Sequence, residues 1–582
     1  MITYNVDFCV VGGGLAGLCA AVAAARGGAS VALMQERPML GGNASSEIRM
    51  WVCGAAGSGN RETGILEEIH LENLFRNPYK LYPVWDSVLY EKALLEPNIT
   101  LLLNCSCHDA ETENNRIISV TGWQMTTQEK IKVYARHFAD CSGDSVLAPL
   151  TGAAFMLGRE AAGEFGEKIS VEVYDKKTMG MSCLIQARKL DYPVTYKAPD
   201  WALKLSADDM RRRRPNLDSS GENFWYLELG GDRDSIKDTE TVRDELLALA
   251  FGYWDYFKNS GEFDSALWQL DFIGFLPGKR ESRRMTGKYV MTQNDVVAGG
   301  KFDDTIAYGG WPLDDHDPAG FWFSGRPCEQ IPTPSPYGIP YRCLYSENID
   351  NLFFAGRNIS MTHAAMSSAR VMATCALLGQ AVGSAAAIAV KHGCLPDEVY
   401  QNHIIELQNR LIYDDIMLPG HTRTPSELTL SSALFAENSS CAEALRDGDD
   451  RSGGFLCGAG GSVEYKLEKP SYIKEVRIVF DSDLDRTTLP GDGVERAHSM
   501  RANIKPDSPV MTMPKTLCKA FSVSISDGSA KTEVIAQVTE NRRRLVILPV
   551  EKICTSVRLT VDENWDSDGK NSQIKIFAFE IS

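Results

Sequence analysis

Residues Asp7 to Val11 form a short apolar run that ends at Gly12-Gly13-Gly14-Leu15-Ala16-Gly17, and an Ala-rich stretch continues to Arg26. A short apolar run closed by glycines predicts a buried strand, and the small apolar residues after it predict a tightly packed helix. Gly27-Gly28 stops that helix, and Ser30 to Gln35 predicts a second strand. The longest apolar stretch, Val371 to Val390, carries Gly379 and Gly383 at GxxxG spacing. Its length would span a bilayer. Its Ala and Gly gain little from lipid, however, and Lys391-His392-Gly393 reads as a helix stop, so a buried helix approached closely by another backbone is predicted. Between these blocks, Lys168 to Val173 and Met181 to Gln186 read as strands and Asp238 to Asn259 as a helix. Residues 301–345, rich in Pro, Gly and aromatics, read as a long ordered loop. Beyond about Glu427 the period changes to two. Ser462 to Leu467, Ile473 to Phe480, Ala520 to Ser526, Arg543 to Pro549 and Ser556 to Val561 alternate apolar and polar residues, as a β-sandwich requires.

The length of 582 residues excludes a single core and predicts three to four folding units at roughly 150 residues each. Hydrophobic content of 44% and charged content of 24% exclude a disordered or collagenous chain. A formal charge of −17 argues against nucleic acid and against an anionic membrane surface as partners. The longest basic run, Arg211-Arg212-Arg213-Arg214, reads as a solvated loop. None of the 15 cysteines makes a CxxC pair, so no metal site is expected and the thiols read as small buried hydrophobes. Cys105 and Cys107 would share one face of a strand. With no signal segment evident at Met1 to Asp7, these features predict a cytoplasmic protein.

The glycine turn carries the chemistry. Gly12 permits the sharp turn, Gly14 lets the backbone approach a pyrophosphate, and Gly17 packs the helix on the sheet. The helix amino terminus offers N–H groups and a positive dipole end to phosphate. Glu36, at the end of the second strand, is placed to accept ribose hydroxyls and to repel a 2′-phosphate.

From here the chain resembles FAD-binding flavoproteins with a two-dinucleotide-binding-domain layout. Glu36-Arg37-Pro38-Met39-Leu40-Gly41-Gly42-Asn43-Ala44-Ser45 is similar to their second glycine loop. Phe138-Ala139-Asp140-Cys141-Ser142-Gly143-Asp144 resembles their D-A-T-G-D strand end, and Asn351-Leu352-Phe353-Phe354-Ala355-Gly356-Arg357 their last FAD strand, with Arg357 where an acidic residue is usual. Gly41 to Gly54, Arg280 to Gly287 and Ala355 to Gly383 resemble the broader FAD-dependent oxidoreductase family, over residues 1 to about 400. The resemblance implies FAD contacts from Gly12, Gly14, Leu15, Ala16, Gly17, Glu36, Arg37, Gly42, Asn43, Ala44, Ser45, Gly143, Asp144, Gly356 and Arg357, and from the Cys107 backbone at the adenine. No His occupies the glycine-loop positions used for covalent attachment, so FAD is expected to be non-covalent.

The implied architecture is a discontinuous Rossmann-like α/β FAD-binding domain (residues 1–150 and 273–395) interrupted by an α+β substrate domain (151–272). A helical linker (396–426) leads to an all-β jelly-roll sandwich (427–582), which resembles galactose-binding-like modules through Ala442 to Gly448 and Ser471 to Ile478. Flavin chemistry needs a proton acceptor and a cationic clamp. His363 is the candidate acid/base, and Arg49, Arg283 and Arg284 are candidates for the clamp. Ser45 and Ser46 are candidates to approach the flavin, Glu47 for a base and Cys53 for a redox thiol. The expected function is hydride transfer between flavin N5 and a small polar metabolite, a sugar or glycoside. The electron acceptor stays open. Two alternatives stand beside it: a glycan-binding protein on a vestigial flavin scaffold, with its glycan at the C-terminal domain, and a thiol or disulfide reductase.

Overall fold

A computed structural model of the chain describes residues 1–217, 223–436, 441–486, 500, 503, 505–506, 510–529, 531–566 and 573–582. The chain divides into two compact units. The first is Met1–Gly57, Tyr79–Gln408 and His498–Pro509; the second is Ser58–Pro78, Asn409–Ala497 and Val510–Ser582.

The first unit is built on a sheet in the order β3-β2-β1-β6-β5-β4, with strands β1 (Ile2–Val11), β2 (Val31–Met34), β3 (Ile99–Leu102), β4 (Cys105–Glu113), β5 (Arg116–Gln124) and β6 (Glu129–Asp140). β1 lies parallel between β2 and β6, and β3 extends the parallel set. Leu352–Phe354 pairs parallel with the end of β6, while β5 and β4 turn back as an antiparallel ribbon. Val11 is level with Met34 and with Asp140, and Phe354 is level with Asp140. The carboxyl ends of four strands therefore share one edge, which is where an open parallel sheet binds ligands.

Helix α1 (Leu15–Arg26) follows β1. The helix Met372–His392 packs against it so closely that a Cβ on Gly379 would lie 2.0 Å from the Ala16 carbonyl oxygen, and one on Gly383 2.1 Å from that of Ala20. This is the expected role of the GxxxG spacing. Among the described residues it is the one helix long and apolar enough to cross a membrane, and 94% of its most apolar window is buried inside the protein.

Several predicted elements differ. Lys168 to Val173 contributes only an isolated bridge, Ala161 with Val171, in place of a strand. The helix Thr239–Asn259 does form, and turns Val242, Leu246, Tyr253 and Trp254 into a cluster with Met181, Ile185 and Leu227. Residues 301–345 are paired ribbon where a loop was expected: Thr305–Gly309 with Tyr337–Pro340, and Leu313–His316 with Cys328–Ile331. The basic run is not a solvated loop. Arg211 and Arg212 end a short capped helix, Ala207–Arg212, and Arg213 is buried, donating to the carbonyls of Gly320, Phe323 and Gly325.

The second unit is an antiparallel seven-stranded assembly in which two strands, Gly461–Phe480 and Leu545–Asn564, each run 20 residues through register shifts. Four predicted strands are thus two long bent ones, because a β-bulge lets one strand change direction without ending. Their inward faces place Tyr465, Ile478, Phe521, Leu559 and Phe579 in one core. Leu71 and Leu74 of helix α2 (Ile65–Arg76) join that core. Residues 58–78 were expected within the first nucleotide-binding segment, yet they fold with the second unit. Charge explains the attachment: Glu67 is buried and paired with Arg486 at 2.7 Å, Glu72 pairs with Arg542 at 2.8 Å, and Glu68 pairs with Arg543. Burial alone would push the Glu67 carboxyl up, but the Arg486 charge and hydrogen bond outweigh it and hold it at about 2.

Candidate functional site

A cleft opens at the shared strand edge. Its floor is the glycine turn. Gly12 has φ +107°, and a Cβ there would sit 2.4 Å from the Cys141 carbonyl oxygen; a Cβ on Gly17 would sit 1.8 Å from that of Gly12. Only glycine fits at either place. Gly14, by contrast, faces open space, with Gly42 Cα 3.9 Å away as the nearest atom a Cβ would meet. The two glycine loops are tied by the Gly41 N–H bonding to the Gly13 carbonyl at 2.8 Å, and the Gln35 side chain accepts from the Gly13 N–H at 2.7 Å. The first intrahelical bond of α1 is Leu18 N–H to Gly14, so the amino-terminal N–H groups of Leu15 and Ala16, both lining residues, face the cleft.

The strand end at β6 is organised by Asp140, which accepts from the Ser142 N–H and hydroxyl, from the Leu147 N–H and from Asn358. Beyond it, Asp144 is held by Lys279 at 2.7 Å, by Arg357 at 2.8 Å and by the Ser282 hydroxyl at 2.8 Å. Arg357 therefore has its carboxylate inside the protein, while its buried Nε has no partner. Arg370, at the start of the helix Met372–His392, also has a buried Nε without a partner. Both arginines line the cleft, and guanidinium groups there offer positive charge and donors to an anion. A glycine cradle, a helix amino terminus and these donors fit an anionic dinucleotide.

The predicted contacts Gly12, Gly14, Leu15, Ala16, Glu36, Arg37, Gly42, Asn43, Cys107, Gly143, Gly356 and Arg357 line this cleft. Gly17, Ala44, Ser45 and Asp144 stand behind the lining: Gly17 packs on the turn, Ala44 accepts from the Trp85 indole, Ser45 is fully buried, and Asp144 orients Arg357. Arg37 lies 3.2 Å from Glu47.

A family model described as FAD dependent oxidoreductase matches residues 7–411. The chain belongs to that family. For this oxidoreductase family member no match is found among the curated proteins. Solved structures similar to its C-terminal part include a family 32 carbohydrate-binding module from Streptococcus pneumoniae EndoD, with 14% identity, 26% of this chain and 97% of that chain covered, and TM-score 0.19. Another is chitosan-binding module 1 of a chitosanase/glucanase from Paenibacillus sp. IK-5, with 11% identity, 28% and 98% covered, and TM-score 0.19. A third is the family 32 module of Clostridium perfringens NanJ in complex with galactose, with 8% identity, 26% and 95% covered, and TM-score 0.18.

The candidate catalytic residues of this oxidoreductase fall elsewhere. His363 is buried and does not line the cleft; its Nδ1 meets Glu281 at 2.9 Å and its Nε2 meets Asp315 at 3.0 Å. Burial would lower its pKa, but the two carboxylates win and push it up to about 10. An imidazolium spent on two internal carboxylates is no free acid or base. Arg284 is 1% exposed and bound to Glu281, Glu160 and the Gly158 carbonyl. Arg283 reaches the Ser145 carbonyl at 3.5 Å and lies over Phe155. Arg49 is taken by Gln186, by the Ser46 carbonyl and by the rings of Phe272 and Tyr82. None of the four lines the cleft.

Charged and aromatic side chains that line it beyond the predicted sites include Lys279, Arg280, Trp311, Asp314 and Arg370. Arg280 donates to Ser182 at 3.0 Å and to the Trp225 carbonyl at 2.7 Å. Asp314 pairs with Arg370 at 3.2 Å and with His316 Nε2 at 3.3 Å, while Glu228 holds His316 Nδ1 at 2.6 Å. Burial would raise the Asp314 carboxyl, but the His316 hydrogen bond and the charges of His316 and Arg370 hold it below the ordinary range. The sequence signal for Arg280 and Arg370 was their place inside matched family blocks. Asp314 and Trp311 sit in the ribbon read as loop.

Proposed function

We propose that this chain is an FAD-dependent oxidoreductase acting on a small hydroxyl-bearing metabolite, a sugar or a glycoside. The observation that carries the reading is one cleft that joins the glycine cradle to a wall of Trp311, Asp314, Arg280 and Arg370. When bound, FAD supplies a two-electron hydride acceptor or donor. Gly14, Gly42, Leu15, Ala16 and Arg357 would hold it, with Glu36 at the ribose. The wall then does the substrate's part. An indole face and an ionised carboxylate between guanidinium donors match the apolar face and alternating hydroxyls of a sugar. Asp314, kept ionised by His316 and Arg370, accepts a hydrogen bond from a substrate hydroxyl and orients it, and Arg280 and Arg370 donate to its neighbours.

FAD is held without a covalent bond in this reading, so acid precipitation should release the yellow colour into the supernatant; colour retained in the pellet would overturn that point. A cytoplasmic setting suits cysteines that are all free among the described residues. The reductase alternative is weakened at three of the thiols lining the cleft, while Cys53, the candidate redox thiol, also lines it and is tested by its Ala variant. Burial pushes Cys105 up to about 11, and Cys107 and Cys375 up to about 12, which disfavours the thiolate that such chemistry needs. The decisive experiment is anaerobic mixing of FAD-loaded protein with sugars, glycosides and acyclic polyols, reading loss of the oxidised flavin band. Bleaching by sugars supports the proposal; a protein that shows no flavin spectrum after reconstitution sinks it.

A further inference from the structure

At the carboxyl end of the helix Met372–His392 the chain turns through Gly393-Cys394-Leu395 into the helix Pro396–Tyr413. The Leu395 N–H donates to Glu398 at 2.7 Å, which fixes the turn. The turn brings His392 of the first helix over His403 of the second, with ring centroids 4.0 Å apart and planes 16° from parallel. His403 and Glu406 are three positions apart and so share a helix face. One carboxylate oxygen, Glu406 Oε2, lies 2.9 Å from His392 Nε2 and 3.4 Å from His403 Nδ1. Lys391 Nζ occupies the other oxygen, Oε1, at 2.7 Å. The three ligand atoms all fall within 4.8 Å of one another. The side chains are 32%, 23% and 36% exposed, so an ion from solvent has access.

A second convergent set, Asp314, His316 and Cys328, differs in its surroundings. There, Arg370 and Arg280 already supply the positive charge, at 3.2 Å from Asp314 and 3.5 Å from Glu228. A dication would be set against two guanidinium groups. At His392 the neighbouring cation Lys391 is paired with the other oxygen of Glu406, and Glu398 in the turn adds negative charge.

We propose that His392, His403 and Glu406 bind a divalent transition ion of the zinc type. Two imidazoles and one carboxylate suit zinc at roughly 2.0–2.2 Å per bond and leave a fourth position for water. Imidazole ligands select against magnesium and calcium, which prefer oxygen sets. The ion staples the helix that begins at the cleft, through Val371 and Met372, to the helix that follows it. The spacing His392-x10-His403-x2-Glu406 is no metal signature along the chain, and the three side chains meet only because the turn at Gly393 to Leu395 brings the second helix beside the first.

The test uses full-length, FAD-loaded, metal-stripped protein and Zn²⁺, titrated in competition with a chromophoric chelator. The wild type and Cys328→Ser should each bind one equivalent that a His392→Ala/His403→Ala double variant lacks, with the flavin spectrum of the double variant intact. Glu406→Gln should weaken that equivalent at least about tenfold, and it decides the matter if the double variant fails to retain flavin. Equal zinc binding by the wild type and the ligand variants would overturn the proposal, as would loss of the equivalent in Cys328→Ser.

Discussion

Asp314 and Asp315 are neighbours on one strand, Leu313–His316, and they serve two different networks. Alternation sends their side chains to opposite faces. Asp314 turns with His316 towards the cleft and pairs with Arg370; Asp315 turns the other way and meets His363, beyond which Glu281, Arg284 and Glu160 complete a buried chain. Both networks contain a histidine between carboxylates, and both include an arginine. The difference is where they end. The His363 network stays away from the cleft lining, with Glu160 accepting from the His363 N–H at 2.9 Å and Glu167 bonded to Thr362. The Asp314 network reaches the cleft, which Asp314, Arg280 and Arg370 line. A charged network buried away from any cavity fixes a fold, and one that lines a cleft can also present its groups to a ligand.

That contrast makes Arg284 the most damaging position to change. Arg284→Met leaves buried Glu160 without its cation and Glu281 with only His363 as a cation, and should cost about 3–5 kcal/mol of stability, seen as a lower denaturant midpoint; a variant of unchanged stability would erase the distinction. Asp314→Asn should instead keep the fold and the flavin spectrum while lowering kcat/KM by about tenfold or more, as expected for loss of one charge-assisted hydrogen bond of about 1.5–3 kcal/mol to the substrate. Steady-state kinetics on whichever sugar bleaches the flavin provides the check.

His363→Gln sharpens the same comparison through pH. The folded pKa is raised from 6.5 to about 10, so the stabilisation is fully present below about 6.5, declines as pH rises, and is gone above about 10. The wild type should therefore lose its stability advantage over His363→Gln across that window, while turnover per folded, flavin-loaded molecule stays near wild type at neutral pH. A fully folded His363→Gln without turnover would move His363 back into the chemistry. Glu67 in the second unit should show the opposite sign: its stabilisation is present above about 4.5 and lost as pH falls towards 2, and Glu67→Gln should flatten the acid limb of the stability curve. The smallest effect is expected for Cys53→Ala, which should leave turnover within about twofold, since a buried thiol acting as a small hydrophobe costs little to replace by Ala.

The nucleotide cradle was legible because each of its residues is required locally. A positive φ at Gly12 and backbone contact at Gly17 admit one residue type, and the motif lies within a few residues of one strand and one helix. The buried helix was legible for the same reason, from its own run of small residues. His363 misled because a histidine near a matched block carries no mark of which partners will reach it: Glu281 is 82 positions away and Asp315 is 48. The ribbon carrying Asp314 and Trp311 was hidden by its Pro and Gly, which read as loop until Leu313–His316 finds its partner Cys328–Ile331. Residues 58–78 gave no sign that their apolar face and three glutamates belong to the second unit, since the arginines that receive them lie more than 400 positions on.

By itself, then, the sequence determined the FAD-type cradle, the α/β character of the first unit and the β character of the second, because strand period, helix period and glycine geometry are properties of neighbouring residues. Only the tertiary structure decided which charged groups are spent inside the protein and which are left facing the cleft. A carboxylate's role depends on whether burial is matched by a partner, and partners brought from distant parts of the chain are chosen by packing alone.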